Sequence, residues 1–191
     1  MAKNAGTSAL RLLDAHRGMC QHTAMSSILD IDLDYFNLMA NPVQKLEELL
    51  LWAGRPVDLV VQRHNQAVIR WNRLANRGVL QKPSHILHVD EHHDMMDSRR
   101  TINIANCMRH AMNLWPECRV HWMVDCAIDS PAMWLSDGEW AELCKRFSMG
   151  RRIPQGWPKP DFVSVCTSPD FLGTGLLERL LQVVTDSRNR R

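Results

Sequence analysis

The stretch His88-Val89-Asp90-Glu91-His92-His93-Asp94 follows the apolar pair Ile86-Leu87, so a strand entering the protein interior ends in a crowd of carboxylates and imidazoles. In an extended backbone alternate side chains share a face, which puts Asp90, His92 and Asp94 together. Charges in such a position must be paired or bind a metal. A second stretch is built alike. Ser27-Ile28-Leu29-Asp30 runs into Ile31-Asp32-Leu33-Asp34-Tyr35-Phe36, and Asp30, Asp32 and Asp34 alternate. Crowded carboxylates repel unless a cation lies between them. Both strands are therefore expected to end at one metal centre.

The chain around them alternates strand and helix. Strands are expected over 26–33, 57–61, 84–90, 119–124 and 161–166. Asn41-Pro42 reads as the start of a helix through Leu46, Leu49 and Leu50 that stops at Gly54. Asn65 reads as the cap of a helix carrying Val68, Ile69, Trp71 and Leu74 up to Gly78. A third helix is expected near 103–113. A fourth opens on the capping box Ser136-Asp137-Gly138-Glu139 and ends near Gly150, and a last one starts near Thr174. Residues 1–24 show no definite element, and 186–191 read as a basic tail with Arg188, Arg190 and Arg191. The expectation is one domain over 25–185, of the α/β class: a three-layer α/β/α arrangement with a mostly parallel sheet. In such sheets ligands bind beyond the carboxyl ends of the strands. Asp32, Asp34, His64, the 90–94 cluster, Asp125 and Asp170 all fall there.

Several functional classes are excluded on composition. The net charge of +2 is too small to imply a nucleic-acid partner, and no apolar run reaches the roughly 20 residues of a membrane span. Arg11, Asp14 and Arg17 interrupt the N-terminal apolar residues, which makes a poor secretory signal. The six cysteines form no C-x-x-C pair. A reduced, cytoplasmic protein is expected, with its oligomeric state left open.

Six candidate metal ligands emerge: Asp32, Asp34, His64, Asp90, His92 and Asp94. That is too many for one tetrahedral ion and suits two ions sharing bridging carboxylates. An oxygen-rich set without thiolate fits two Mn²⁺, with Zn²⁺, Fe²⁺ or Co²⁺ as substitutes. Two such ions about 3.5–4 Å apart generate a nucleophile for hydrolysis. Each piece also has a plainer reading. A lone D-x-D is more often a solvated strand end, and a lone histidine at a helix start more often a cap. His93-Asp94 matches the His-Asp doublet of metal phosphohydrolases, although that doublet normally lies on a helix. Asp30-Ile31-Asp32 could be the nucleophile strand of an aspartate-dependent phosphatase, which leaves the 88–94 cluster without a role.

Asp90-Glu91-His92-His93-Asp94 resembles the D-x-H-x-D signature of the arginase and deacetylase fold, and Asp32-Leu33-Asp34 resembles its D-x-D pair. His64 is similar to the single histidine ligand of ureohydrolases. In common arginases D-x-D comes last; here it comes first, an order similar to a small bacterial branch that includes peptide arginases. These convert arginine side chains of ribosomally made precursor peptides to ornithine. The resemblance spans about residues 26–172. It implies one manganese held by His64, Asp90, Asp94 and an aspartate of the D-x-D pair, and another held by Asp90, His92, Asp32 and Asp34. It also implies that Asp94 relays a proton and that an acidic residue after the last strand pairs with the guanidinium. Asp170 stands there, one methylene shorter than the usual glutamate. No histidine lies between Met95 and Arg109, where arginases place a proton shuttle, so His93 or His110 is the candidate. Glu91 replaces the usual small residue and is expected to face substrate. The alternatives are a ureohydrolase acting on free arginine or a small guanidine, and a non-catalytic peptide-binding member of the fold. A zinc deacetylase is disfavoured, because the only tyrosine is Tyr35, beside the metal motif.

Overall fold

A computed structural model describes residues 26–127 and 129–189. Among them are six strands, β1 (Ser26–Asp32), β2 (Leu59–Val61), β3 (Pro83–Val89), β4 (Arg119–Met123), β5 (Phe147–Gly150) and β6 (Phe162–Cys166). Five α-helices connect or follow them: α1 (Pro42–Ala53), α2 (His64–Asn76), α3 (Cys107–Leu114), α4 (Asp137–Leu143) and α5 (Thr174–Arg188). The strands form a single all-parallel sheet in the order β2-β6-β1-β3-β4-β5. The fold is thus the α/β class expected, with one more strand. The segment 1–24, Arg190 and Arg191 lie outside the described residues, while 186–188 of the expected tail belong to α5.

Period-two alternation sorts β1 between two cores. Leu29 and Ile31 pack with Leu46, Leu49 and Leu50 of α1 and Leu180 and Val184 of α5. Ile28 packs on the other face with Val68 and Trp71 of α2 and Met108 and Met112 of α3. Every residue of β1 is buried, as a central strand covered on both sides requires. The chain leaves β1 and β6 towards the α1/α5 layer and leaves β2, β3 and β4 towards the opposite one. Neighbouring β1 and β3 therefore send their following loops in opposite directions, and a crevice opens between their carboxyl ends.

Several local expectations need correction. The residues around 147–150 form edge strand β5, not the end of a helix; α4 stops at Leu143, and the Ser136 side chain makes no cap bond. Phe147-Ser148-Met149-Gly150 contains no β-branched residue and is half exposed, so it lacks the usual signs of a strand. α2 begins at His64, ahead of the expected cap Asn65, because the Gln66 side chain accepts from the amides of Gln62 and Arg63. α3 begins at Cys107, later than residue 103. Gly54 does close α1, in the left-handed conformation at φ 68°.

Candidate metal centre

The two acidic motifs meet at the crevice between β1 and β3, but not through extended backbone. β1 ends at Asp32, and a 3-10 turn, Leu33–Phe36, follows; Asp32 Oδ1 caps it by accepting from the Asp34 amide at 3.2 Å. β3 ends at Val89, and 90–94 is a bend in which Asp90 Oδ1 accepts from the His92 amide at 2.7 Å. Asp94 takes φ 53°, a left-handed conformation that aspartate tolerates better than most residues. Its carbonyl accepts from the Met108 and Arg109 amides at the start of α3, which fixes it in place. Side chains that alternation alone would line up are thus folded towards one point.

That point lies in front of His64 Nδ1. Asp90 Oδ2 stands 2.8 Å from it, Asp94 Oδ2 3.1 Å and Asp32 Oδ2 3.3 Å, and all four residues are buried. His64 Nε2 is 2.5 Å from Asp30 Oδ2. Asp30 is a wholly buried carboxylate; burial opposes its ionisation, but His64 and His88 outweigh that and hold its pKa below the usual value. An ionised carboxylate only accepts, so Nε2 carries a proton, and Nδ1 is the atom that would give its lone pair to a cation lying among the three carboxylates. Nδ1 has no hydrogen-bond partner, and Asp34 Oδ1, also buried, has none. Ligands about 2.0–2.2 Å from an ion stand roughly 3.0–3.5 Å from one another, and the three carboxylate oxygens lie close to that, 2.8–3.3 Å from Nδ1. The donor set fits a divalent cation.

A second group adjoins the first. Asp34, Asp90 and His92 bring ligand atoms within 4.8 Å of one another, as do His64, His88, Asp90 and Asp94, so Asp90 belongs to both. His92 Nδ1 stands 3.6 Å from Asp34 Oδ2 and 3.7 Å from Asp90 Oδ1, and these two carboxylates push its pKa up to about 11. Burial, reinforced by Asp90, raises Asp32 well above the usual carboxylate range, and burial raises Asp34 despite the nearby His92. Asp90 goes the other way: burial opposes ionisation, but the neighbouring His64, His92 and His88 lower its pKa. Burial also works against an imidazolium at His64, yet the Asp30 carboxylate outweighs it and raises the ring well above its ordinary value.

Residues beyond the six candidates complete the surroundings. His88 Nδ1 donates to Asp30 Oδ2 at 3.1 Å and its Nε2 to the His92 carbonyl at 3.2 Å. Both neighbours are acceptors, so this ring carries both protons and orients rather than ligates. Ser164 Oγ donates to Asp30 Oδ1, Ser168 Oγ to Asp32 Oδ2 at 2.6 Å, and Cys107 Sγ to Asp94 Oδ2 at 2.9 Å. Asp30 and His88 were visible in the same alternation that exposed Asp32 and Asp90. Ser168, Cys107 and Asp129 carried no such signal.

The other candidates lie around the cluster rather than in it. His93 is buried with its ring edge-on to Trp122; Nδ1 accepts from the Met95 amide at 3.0 Å and Nε2 is 3.3 Å from Asp129 Oδ1. Burial lowers its pKa against the pull of Asp129. His110 faces the Arg99 carbonyl at 3.2 Å. Glu91 is half-buried beside Asp90, and Asp170 and Asp125 are exposed in the loops after β6 and β4. Trp157 packs against His85 and His121 inside the fold, whereas Trp134 is exposed. The described cysteines are all free, and no helix among the described residues is long and apolar enough to cross a membrane. No family model, curated protein or solved structure matches the chain.

Proposed function

We propose that the protein is a metal-dependent amidine hydrolase that converts arginine side chains of a ribosomally made precursor peptide to ornithine and urea in the cytoplasm. His64 carries this reading: three buried carboxylates converge within 3.3 Å of its buried Nδ1, an arrangement whose mutual repulsion a divalent cation would relieve. In this reading two Mn²⁺ would be held, one by His64, Asp32, Asp90 and Asp94, the other by Asp90, His92, Asp32 and Asp34. When bound, such a pair supplies Lewis acidity and a water made nucleophilic at neutral pH.

The chain's own residues do the rest. Asp30 keeps the proton on His64 Nε2 so that Nδ1 stays a ligand. Asp94, one of whose oxygens is engaged by Cys107, accepts the proton of the attacking water and returns it to the leaving amine. Asp170, with Glu91 beside the cluster, takes the guanidinium by paired charge-assisted hydrogen bonds. His93 exchanges protons only through Nε2, because Nδ1 is tied to the Met95 amide.

The test is direct. Purified protein loaded with Mn²⁺ is offered an arginine-containing peptide and, separately, free arginine. The peptide is expected to lose about 42 Da per converted residue, the CN₂H₂ unit removed in metal-assisted hydrolysis, with urea released in equal amount and free arginine turned over far more slowly. No urea from any guanidine would end the hydrolase reading. Equal turnover of free arginine would end the peptide one.

A further inference from the structure

The helices on one side of the sheet carry charge of a single sign. No aspartate or glutamate occurs between Asp58 and Asp90, while Arg63, Arg70, Arg73, Arg77 and Lys82 all fall in that stretch. α2 and its C-cap therefore leave Arg70, Arg73 and Arg77 exposed with no acid on the helix to pair with them. α3, packed beside it, has no acid either. Between the two helices lies a groove of about 210 Å³. Val68 and Ile69 of α2, Leu114 of α3 and Ile102 of the loop before α3 give it an apolar lining, and exposed Arg73 and Arg100 complete it. Neither guanidinium has an ion-pair partner among the described residues. Asp97, the acid of the same loop, is already taken by Arg99 and Asn103.

Both helices start in the metal centre. His64 opens α2, and Cys107, whose Sγ donates to Asp94, opens α3. The groove's helical lining lies roughly one to three turns further along, so a chain held there has its continuation beside the cluster. Across the sheet, the groove between α1 and α5 carries Glu47 and Glu48 instead; a cationic lining is particular to the α2/α3 side. Free guanidiniums around aliphatic side chains call for an anion with an apolar part. A nucleic acid fits poorly, because no phenylalanine, tyrosine or tryptophan lines the groove for a base to stack on. A bilayer needs a protruding apolar face, whereas these side chains line a recess. An acidic peptide satisfies both halves of the lining: an aliphatic side chain enters the groove, and carboxylates take the arginines by charge-assisted hydrogen bonds.

Resting on the hydrolase reading for the peptide's being the substrate, we propose that the groove between α2 and α3 docks an acidic segment of that peptide, an aliphatic side chain against Ile69, Ile102 and Leu114 and carboxylates on Arg73 and Arg100. The experiment uses the full chain loaded with Mn²⁺ and three fluorescently labelled peptides. Each carries one arginine joined by a flexible glycine–serine linker to a different flank: Asp-Asp-Leu-Asp-Asp, Asp-Asp-Gly-Asp-Asp or Lys-Lys-Leu-Lys-Lys. Anisotropy reads binding and mass reads conversion. The acidic leucine peptide is expected to bind tightest, with an affinity that falls as salt is raised. Arg73→Glu and Arg100→Glu should each weaken it roughly tenfold or more, since like charges then face each other. Arg179→Glu, exposed on α5 in the opposite layer, should leave it unchanged. All three side chains are exposed, so the fold should hold; the wild-type order of the three peptides decides alone if a variant fails to fold. Equal binding of the acidic and basic peptides, no effect of the leucine, or a loss as large in Arg179→Glu overturns the proposal, even where arginine is converted. The expected order without conversion sustains the groove as a peptide site and removes the hydrolase reading. Sedimentation, vesicle flotation and an RNA oligonucleotide complete the test: a dimer, lipid binding or RNA binding that disappears in the Arg73 and Arg100 variants assigns the groove to that occupant and overturns the proposal.

Discussion

Asp30 touches the proposed cation nowhere and yet sets its first ligand. It is wholly buried, and its charge is balanced by His64 on one side and doubly protonated His88 on the other. Asp30→Asn keeps the shape but lets the amide donate, which frees His64 to turn over its protons. Manganese affinity should fall about 10- to 100-fold, the usual effect of losing such a partner, in a competition titration against a chelator, with the circular dichroism spectrum intact. Unchanged affinity would mean that Nδ1 is held by packing alone. Asp90→Ala should abolish binding at both groups, since Asp90 belongs to each, whereas His64→Ala should spare the Asp34–Asp90–His92 group; elemental analysis of both variants separates these outcomes. Asp170→Asn should leave the metal content alone and stop turnover. That Asp32, Asp34, Asp90 and Asp94 converge was readable from alternating charge at the ends of apolar strands. The way the side chains reach one another was not, because the 3-10 turn after Asp32 and the left-handed backbone at Asp94 come from capping bonds with the Asp34 amide and with the start of α3.

At the level of elements, the helix punctuation marked by glycine and proline held best. Pro42 opens α1 and Gly54 closes it, because only glycine reaches φ 68° without a Cβ penalty. Gly54→Ala meets no closer neighbour than the Trp52 carbonyl at 4.0 Å, so its cost is conformational. A loss of about 1 kcal/mol is expected in urea unfolding, with metal binding unaltered. Polar caps were read less well: Ser136 and Asn41 both precede helices, and neither side chain bonds to its helix. β5 escaped because an edge strand with one neighbour needs little hydrophobic pattern to persist.

For the molecule as a whole, the cluster stores a proton imbalance. His64, His88 and His92 have folded pKa values above that of an unfolded histidine, and Asp32 and Asp34 above that of an unfolded aspartate. Burial shifts His85, His93 and His121 the other way, but above about pH 7 those rings are neutral folded or unfolded. The folded chain then binds more protons than the unfolded one, so stability falls as pH rises towards the His92 value of about 11. Manganese takes the place of those protons. The gap in melting temperature between Mn²⁺-loaded and chelated protein should therefore widen from about pH 7 to about pH 9; a constant gap would show that the cluster is not where the metal binds. Parallel layering was legible from the alternation of elements. The sheet order was not, because it depends on which layer each crossover enters.

That order has a consequence in time. β6, the last strand in order among the described residues, lies between β2, which leads into His64, and β1, which carries Asp32. Until it inserts, nothing in the sheet holds His64 beside Asp32, and Ser168, which steadies Asp32, has not yet arrived. A chain emerging from the ribosome therefore cannot assemble the whole cluster until β6 and Ser168 have been synthesised. Interactions formed that late slow unfolding rather than speed folding, so manganese acts as a latch on the finished fold and offers no help to one still being built.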